Sequence, residues 1–201
     1  MSLYDRMEDR RLGIRTCGRD YSHLSSENYG YDPTPYAVLR RLAKAGWVGP
    51  DDTLVDYGCG MGRVGLYLHD RTGCRVVGLD LDPQRIREAR LNLRAYERRT
   101  GAPADVRFVR ADAEEFDPSG GTCFYFFNPF SPSVFQRVVA GIAAARQETG
   151  RDMRVLFFYT TREYLACFAG ESHLRAAGVV DGRTLTRRDP ELDRLLVFDV
   201  V

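Results

Sequence analysis

Three glycines at alternate positions, Gly58, Gly60 and Gly62, follow a short apolar strand that ends in an acid, Asp56. A helix-like run begins directly afterwards, at Arg63. Glycines allow sharp turns with positive φ and let a ligand approach the backbone where no Cβ stands in the way. The helix that follows points its unpaired N–H groups and the positive end of its dipole back at the loop. The segment therefore predicts a site for a flat or anionic small molecule.

Strands and helices alternate along the chain after residue 33. Apolar runs predict strands at about 52–57, 75–79, 106–109, 123–127 and 155–159, and two more near 182–188 and 194–200. Near-continuous apolar strands with helices between them are typical of a parallel sheet that is covered on both faces. The predicted fold is therefore α/β, with a doubly wound, seven-stranded, mostly parallel sheet, helices on both faces and a C-terminal antiparallel hairpin. The strand at 123–127 is apolar throughout, so we expect it near the centre.

Three helix starts are marked by a capping residue before a proline. The dipeptides Thr34-Pro35, Asp82-Pro83 and Ser131-Pro132 each fit the N-terminus of a helix. Gly46 and Gly150 are placed to end the first and the last of these helices. Each helix would then connect two strands of the predicted sheet or precede its first strand.

Composition and charge favour a globular protein in a reducing, cytoplasmic compartment. The net charge is +1, and no apolar run approaches the roughly 20 residues that a membrane span needs. The five cysteines are scattered, without a C-x-x-C pair, and the three histidines have no metal-ligand spacing. We therefore predict no membrane partner and no metal site. A nearly neutral chain also favours a small molecule or a protein over nucleic acid as its partner.

The glycine loop fits two classes of ligand. Residues 60–65 read G-x-G-x-x-G, and Asp80 follows Gly62 by 18 residues, which is typical of a dinucleotide-binding fold. Asp56 argues against that ligand, because a carboxylate at the end of the strand would repel a pyrophosphate. S-adenosylmethionine instead brings an ammonium group and a sulfonium, which an acid at this position attracts.

Four segments resemble the motifs of class I S-adenosylmethionine-dependent methyltransferases. Residues 55–62 (VDYGCGMG) are similar to the first motif of that family and residues 77–82 (VGLDLD) to the second. Residues 110–113 (RADA) and 128–130 (NPF) resemble the motifs after the third and fourth strands. The resemblance runs from about residue 34 to the end of the sequence. It implies an S-adenosylmethionine-binding domain at 33–201. Residues 1–32 are polar, charged and rich in tyrosine, and we interpret them as an N-terminal arm or lid that is partly helical. A loose tail is the alternative for residues 1–32.

The resemblance also implies a role for individual residues. Asp56 would lie near the ammonium group, and the three glycines would shape the loop under the methionine part. Asp80 would accept hydrogen bonds from both ribose hydroxyls, and Leu81 would pack on the adenine. Asp112 would accept from the adenine amino group, although Asp112-Ala-Glu-Glu115 also fits a helix capping box. The residues expected around the cofactor are Thr34, Asp56, Gly58, Cys59, Gly60, Gly62, Asp80, Leu81, Asp112, Ala113 and Asn128.

Asn128, Pro129 and Phe130 are the candidate catalytic residues. An asparagine oxygen can accept a hydrogen bond from an N–H₂ group, and a phenylalanine ring can stack on a planar or cationic acceptor. The segment resembles the Asn-Pro-Pro-Tyr tetrad of adenine-N6 and protein-glutamine methyltransferases, but it has Phe130 and Ser131 in the last two positions. An amine or amide nitrogen is therefore the predicted methyl acceptor. The alternative is that the segment only ends the fourth strand and caps the next helix.

The sequence thus predicts an S-adenosylmethionine-dependent methyltransferase that moves the methyl group by in-line displacement. Two alternatives stay open at this point. One is a module that binds S-adenosylmethionine without catalysis, and the other is an NAD-dependent oxidoreductase.

Overall fold

A computed structural model describes residues 2–18, 32–182 and 192–201 of the chain. In those parts it contains seven strands, which are β1 Thr53–Tyr57, β2 Arg75–Asp80, β3 Val106–Arg110, β4 Cys123–Phe126, β5 Arg154–Phe158, β6 Leu174–Asp181 and β7 Arg194–Val200. The six helices are α1 Leu3–Leu12, α2 Tyr36–Lys44, α3 Arg63–Thr72, α4 Pro83–Thr100, α5 Pro132–Thr149 and α6 Arg162–Ala169.

The strands form one sheet in the order β3-β2-β1-β4-β5-β7-β6. The first five are parallel, whereas β7 is antiparallel to both of its neighbours. The predicted sheet and its C-terminal hairpin are therefore confirmed. β4 occupies the central position, because its alternate side chains are buried on both faces. Phe124 and Phe126 belong to one apolar cluster, and Cys123 and Tyr125 belong to the other.

The order of the strands reverses between β1 and β4, since β2 and β3 lie on one side of β1 and the later strands on the other. In doubly wound sheets, ligands bind beyond the carboxyl ends of the strands at this reversal. Asp56 in β1 and Asn128 just after β4 lie at that point. The fold itself therefore brings two of the predicted site segments together.

Two of the three predicted helix caps are present. The Asp82 side chain accepts from the Gln84 N–H, and the Ser131 side chain accepts from the Val134 N–H. The prediction for Thr34 is wrong, because α2 begins one residue later, after Pro35, and has no side-chain cap. The Thr34 hydroxyl instead lies 2.9 Å from the Tyr125 hydroxyl, and both groups are buried. A tertiary hydrogen bond has thus taken the group that local sequence assigns to a cap.

β6 at Leu174–Asp181 was not predicted and lies before the strand predicted near 182–188, of which residues 183–188 lie outside the described parts. β6 is an edge strand with most of its side chains exposed, so it lacks the alternation that reveals a half-buried strand. A bulge between Ala176 and Gly178 brings Gly178 onto the Trp47 indole, where an added Cβ would lie 2.6 Å from the ring. The strand is therefore positioned by one long-range contact.

The first helix is part of the packed structure. α1 begins with a reciprocal capping box between Ser2 and Asp5 and ends at Gly13 with φ of 74°. Its buried residues include three acids, Asp5, Glu8 and Asp9. Buried carboxylates need hydrogen-bond or ion-pair partners. Partners of the α1 carboxylates lie on α2 and α3, as described below.

Within the described residues, the structure contains no helix that is long and apolar enough to cross a membrane.

Candidate functional site

A cavity of about 460 Å³ opens at the carboxyl ends of β1, β2 and β4. Ten of the predicted site residues line it: Thr34, Asp56, Gly58, Cys59, Asp80, Leu81, Ala113, Asn128, Pro129 and Phe130. Gly60, Gly62 and Asp112 were also predicted, but they are not among the lining residues. The fold thus brings together segments that are far apart in the sequence around one cavity of the size that a small-molecule ligand occupies.

The glycine loop is held against the end of β2. The backbone N–H groups of Gly58 and Cys59 both donate to the Leu79 carbonyl, at 2.9 Å each. The Gly60 N–H donates to Asp80 Oδ2 at 3.0 Å, so Gly60 acts on the cavity through Asp80. Gly62 has φ of 85° and precedes α3, where an added Cβ would meet the Phe108 ring at 2.5 Å. The absence of a side chain at Gly62 therefore serves packing under the loop.

Gly58 brings the glycine loop into contact with the segment after β4. Its φ is 73°, and an added Cβ would lie 2.6 Å from Pro129 Cβ. We expect Gly58→Ala to lower the free energy of unfolding by about 2–5 kcal/mol, the sum of a left-handed backbone cost and an overpacking cost. Denaturant unfolding measures this change.

Gly46 offers a matched control, because its φ is also 73° and an added Cβ would have no neighbour within 4 Å. Gly46→Ala should therefore cost only about 1–2 kcal/mol, the backbone cost alone. Equal losses in the two variants would contradict the close approach of the loop to Pro129.

Asp80 connects the glycine loop with the turn after β2. Oδ2 accepts from the Gly60 N–H, and Oδ1 accepts from the Asp82 N–H at 3.0 Å. Burial raises the pKa of Asp80, and the two N–H donors oppose that rise. Each carboxylate oxygen can accept a second hydrogen bond. Asp80 can therefore hold the loop and still bind a ligand with two adjacent hydroxyls.

Asp56 is a buried acid without a partner at one of its oxygens. Its side chain is 2% exposed, and Oδ2 has no hydrogen-bond partner. Burial raises the pKa of Asp56 to about 8, and the negative charge of nearby Asp80 adds to the rise. An unpaired buried acid is costly, so Asp56 is suited to a ligand that brings a cation or a hydrogen-bond donor.

Asn128 has a second polar atom of this kind. Its backbone has φ of 41°, which is uncommon for a residue other than glycine, and its Oδ1 is buried without a hydrogen-bond partner. The segment after β4 is held by Tyr164 in α6, whose hydroxyl donates to the Phe130 carbonyl. The Phe130 ring packs edge-on against Tyr57 and Phe126, and it is 6% exposed. The structure therefore presents an acceptor oxygen and an aromatic ring on one wall of the cavity.

Cys59 also lines the cavity, but burial raises its thiol pKa well above the ordinary value. The thiol thus stays protonated and acts as a small apolar group. The sequence also suggests tyrosines around the methyl acceptor, at positions 29, 31, 36, 159 and 164. Of these, Tyr29 and Tyr31 lie outside the described residues. Tyr36 is fully buried and donates to Asp9.

Asp112 occupies a turn. Its Oδ1 accepts from the Glu114 N–H at 2.9 Å, which is the local hydrogen bond of an Asx turn. The alternative interpretation as a helix cap is wrong, because no helix follows residue 112 before α5. Ala111 and Ala113, on either side, line the cavity. The contact of Asp112 with adenine stays a prediction.

Arg63 is a lining residue that the sequence did not reveal. It is 2% exposed, and its guanidinium stacks over the Tyr36 ring at 4.4 Å. It lies 3.8 Å from both Asp5 and Asp9. A cation in the first turn of a helix opposes the helix dipole. The unusual position of Arg63 becomes informative only when it is considered together with Asp5 and Asp9, two acids four residues apart in α1.

Part of the chain matches known methyltransferases in sequence. Residues 54–150, about half of the chain, match the family model of a methyltransferase domain. A protein-lysine N-methyltransferase from Saccharolobus islandicus is 33% identical over 98 residues, which are 48% of this chain and 58% of that protein. A geranyl diphosphate 2-C-methyltransferase from Streptomyces lasalocidi is 44% identical over 61 residues, 26% of this chain and 20% of that protein. The chain thus spans less than two thirds of either relative.

The fold agrees with that match. The crystal structure of an RNA methyltransferase from Salinibacter ruber in complex with S-adenosyl-L-homocysteine aligns with a TM-score of 0.55 and 24% identity. The alignment covers 84% of this chain and 94% of that chain. The glycine loop, Asp80 and Asn128 of the cavity all lie within residues 54–150, the part of the chain that matches the family model. Residues 54–150 are therefore similar to a methyltransferase domain, and the chain has the fold of the S-adenosylmethionine-dependent methyltransferases with which it aligns.

Proposed function

We propose that the protein transfers a methyl group from S-adenosylmethionine to an amine or amide nitrogen of a small molecule or a protein side chain. The observation that carries the proposal is the unpartnered, buried oxygen of Asp56 at the cavity wall. The lining includes four aspartates, Asp32, Asp56, Asp80 and Asp82, against two arginines, Arg63 and Arg85. This charge balance favours a cationic ligand over a dinucleotide with its anionic pyrophosphate.

The cavity residues suit the parts of S-adenosylmethionine separately. Asp56 would take the ammonium group, and this interaction would favour its charged form despite burial. Asp80 would accept from the two ribose hydroxyls with the lone pairs that its backbone donors leave over. Leu81 is half-exposed at the cavity and would cover one face of the adenine. Thr34, through its hydroxyl contact with Tyr125, would close the wall beside the glycine loop.

When bound, S-adenosylmethionine would supply a methyl group on a positively charged sulfur. An incoming nucleophile would take the methyl group in line, and the sulfur would leave as part of S-adenosylhomocysteine. The protein needs to align the nucleophile and exclude water, and positioning of this kind supplies about 7–11 kcal/mol. Asn128 Oδ1 would accept a hydrogen bond from the acceptor N–H and so aim the nitrogen lone pair away from itself. Phe130 would provide an apolar or cation–π surface for the acceptor. Methylation moves the positive charge of the sulfonium to the nitrogen, which returns to the neutral state by releasing one proton; a carboxylate at the cavity such as Asp32 would receive that proton.

A nitrogen acceptor agrees with the lysine N-methyltransferase among the relatives. The geranyl diphosphate enzyme methylates carbon, and a carbon acceptor would have no use for the Asn128 oxygen. The near-neutral charge of the chain argues against nucleic acid as the bulk partner. The Asn128 oxygen is therefore the feature that separates these acceptor classes.

Titration calorimetry with S-adenosylmethionine, S-adenosylhomocysteine and NAD in parallel tests the cofactor. We expect micromolar binding of the first two ligands and none of NAD. Transfer of radiolabelled methyl groups to lysine peptides, small amines, geranyl diphosphate and RNA tests the acceptor. Binding of NAD alone would overturn the proposal in favour of an oxidoreductase. Binding of S-adenosylmethionine with transfer only to carbon or RNA would overturn the nitrogen acceptor.

A further inference from the structure

We propose that the N-terminal segment 2–18 is a latch on the glycine loop, so that docking of α1 and binding of the cofactor stabilise each other. The inference rests on the proposed function, and it adds a part of the site that lies outside the matched domain. Arg63 and Asn92 are assigned as the positioning residues that connect the latch to the loop.

Arg63 forms the first connection. It directly follows Gly62, and among the described residues its guanidinium donates to acceptors on the segments that hold Thr16 and Thr34. Nε donates to the Thr16 hydroxyl at 2.7 Å, Nη1 to the Thr34 carbonyl at 3.1 Å and Nη2 to the Cys17 sulfur at 3.3 Å. Arg63 therefore joins the start of α3, the Thr34 wall of the cavity and the end of the latch.

Asp9 holds the latch side of this connection. Oδ1 accepts from the Thr16 hydroxyl and from the Tyr36 hydroxyl, each at 2.6 Å, and Oδ2 accepts from the Thr16 N–H at 2.7 Å. Asp9 is 5% exposed and lies 3.8 Å from the Arg63 guanidinium. Because the group is buried, removing its charge would leave the Arg63 charge less well compensated. Asp9 thus couples α1 to the loop through Arg63.

Asn92 of α4 forms a second and separate connection. Its amide nitrogen donates to the Arg15 carbonyl at 3.0 Å and to the Met61 carbonyl at 2.9 Å, while its oxygen accepts from the Arg15 N–H at 2.9 Å. Met61 lies between two glycines of the loop. One buried side chain therefore bonds both the latch and the loop backbone, which fixes their relative position.

These contacts give the coupling a direct physical cause. Glycine-rich segments lose more conformational entropy on ordering than other segments. A docked latch holds the loop in place before the cofactor arrives, so the cofactor meets a smaller ordering cost, and the bound cofactor in turn favours the docked latch. A loop without these bonds would have to be ordered by the cofactor alone.

Glu8 provides a matched control on the same helix. It is also buried, but it pairs with Arg11 in α1 and with Arg71 at the far end of α3. Arg71 lies eight residues after Arg63, about 12 Å along the helix axis. Glu8→Gln should therefore lower the overall stability of the fold while α1 stays docked and its connection to the glycine loop stays intact.

Hydrogen exchange of the wild-type protein tests the inference without any variant. We expect saturating S-adenosylhomocysteine to slow exchange of the α1 amides by about fivefold or more. In calorimetry, Asp9→Asn and Asn92→Ala should each weaken S-adenosylhomocysteine binding by about tenfold, equivalent to about 1.4 kcal/mol. Glu8→Gln should bind within about twofold of wild type. Thermal unfolding of each variant measures how far the fold itself is affected.

The possible results separate this inference from the function on which it rests. Failure of the wild type to bind S-adenosylhomocysteine or S-adenosylmethionine would overturn the proposed function and the latch together. Binding by the wild type with unchanged α1 exchange would overturn the latch alone. Equal losses of affinity in Glu8→Gln and Asp9→Asn would also overturn it, because they would show a general effect of helix stability.

Discussion

Asp80→Ala is expected to weaken the binding of S-adenosylhomocysteine by about a hundredfold or more. The variant would remove the two proposed hydrogen bonds to the ribose, each of which is worth about 1.5–3 kcal/mol when the acceptor is charged. It also frees the Gly60 N–H, which Asp80 Oδ2 holds in the folded protein. Titration calorimetry at neutral pH measures the loss.

A milder substitution at this position should not rescue binding. Both oxygens of Asp80 accept from backbone N–H groups, of Gly60 and of Asp82. The amide nitrogen of an Asp80→Asn side chain would face one of these donors, so we expect a loss nearly as large as in Asp80→Ala.

Asp52 is the matched control for Asp80. It lies just before β1, at the amino ends of the strands and so opposite the cavity. It also holds a turn, because it accepts from the Gly49 N–H and from the Thr122 hydroxyl. Asp52→Ala should lower stability and leave the affinity unchanged. Loss of affinity in Asp52→Ala equal to that in Asp80→Ala would indicate a global effect and contradict the assigned role.

Asp56→Asn is expected to stabilise the ligand-free protein and to weaken the cofactor complex. Burial raises the pKa of Asp56 to about 8 in the folded protein, whereas an aspartate in an unfolded chain has a pKa of about 3.9. Between these values the folded state keeps a proton that the unfolded chain has released. The wild type therefore loses stability as the pH rises through this window, by up to about 1.4 kcal/mol per unit. The amide of the variant does not titrate.

The free energy of unfolding of ligand-free Asp56→Asn should accordingly exceed that of the wild type by an amount that grows from about pH 4 to about pH 8 and then levels off. Denaturant unfolding at pH 5, 6, 7 and 8 checks this trend. In the complex the sign reverses, because an ammonium group favours the charged carboxylate. S-adenosylhomocysteine binding to the wild type should therefore tighten as the pH rises from 6 to 8 and release a proton, which calorimetry in buffers of different ionisation enthalpy detects. A parallel pH dependence in the variant would exclude Asp56 as its source.

The sequence predicted those parts of the site that depend on local pattern. Asp56 and the glycine loop follow from the first strand and the turn after it. Asp80 follows from the end of the second strand. The proximity of Gly58 to the Asn128 segment could also be predicted, because a parallel sheet places the carboxyl ends of its strands on the same side.

The parts that were missed depend on contacts across the fold. Arg63 and Asn92 are charged or polar residues on helices, where exposure is the usual expectation. Their burial comes from tertiary contacts, with Tyr36 and segment 2–18 for Arg63 and with Arg15 and Met61 for Asn92. Thr34 was assigned to a cap, because its partner Tyr125 is 91 residues away. β6 has no apolar pattern of its own, since it is an edge strand held by β7 and Trp47.

The position of β7 has a consequence for the order in which the sheet can assemble. β7 follows β6 in the chain but lies between β5 and β6, so β6 has no strand to pair with until β7 is in place. During synthesis, the edge of β5 therefore stays open until residues 194–200 have been made, although the rest of the sheet can already pair. An open apolar edge is a template for wrong pairing with other chains. Protection from aggregation during synthesis thus depends on the last strand of the sheet to be translated.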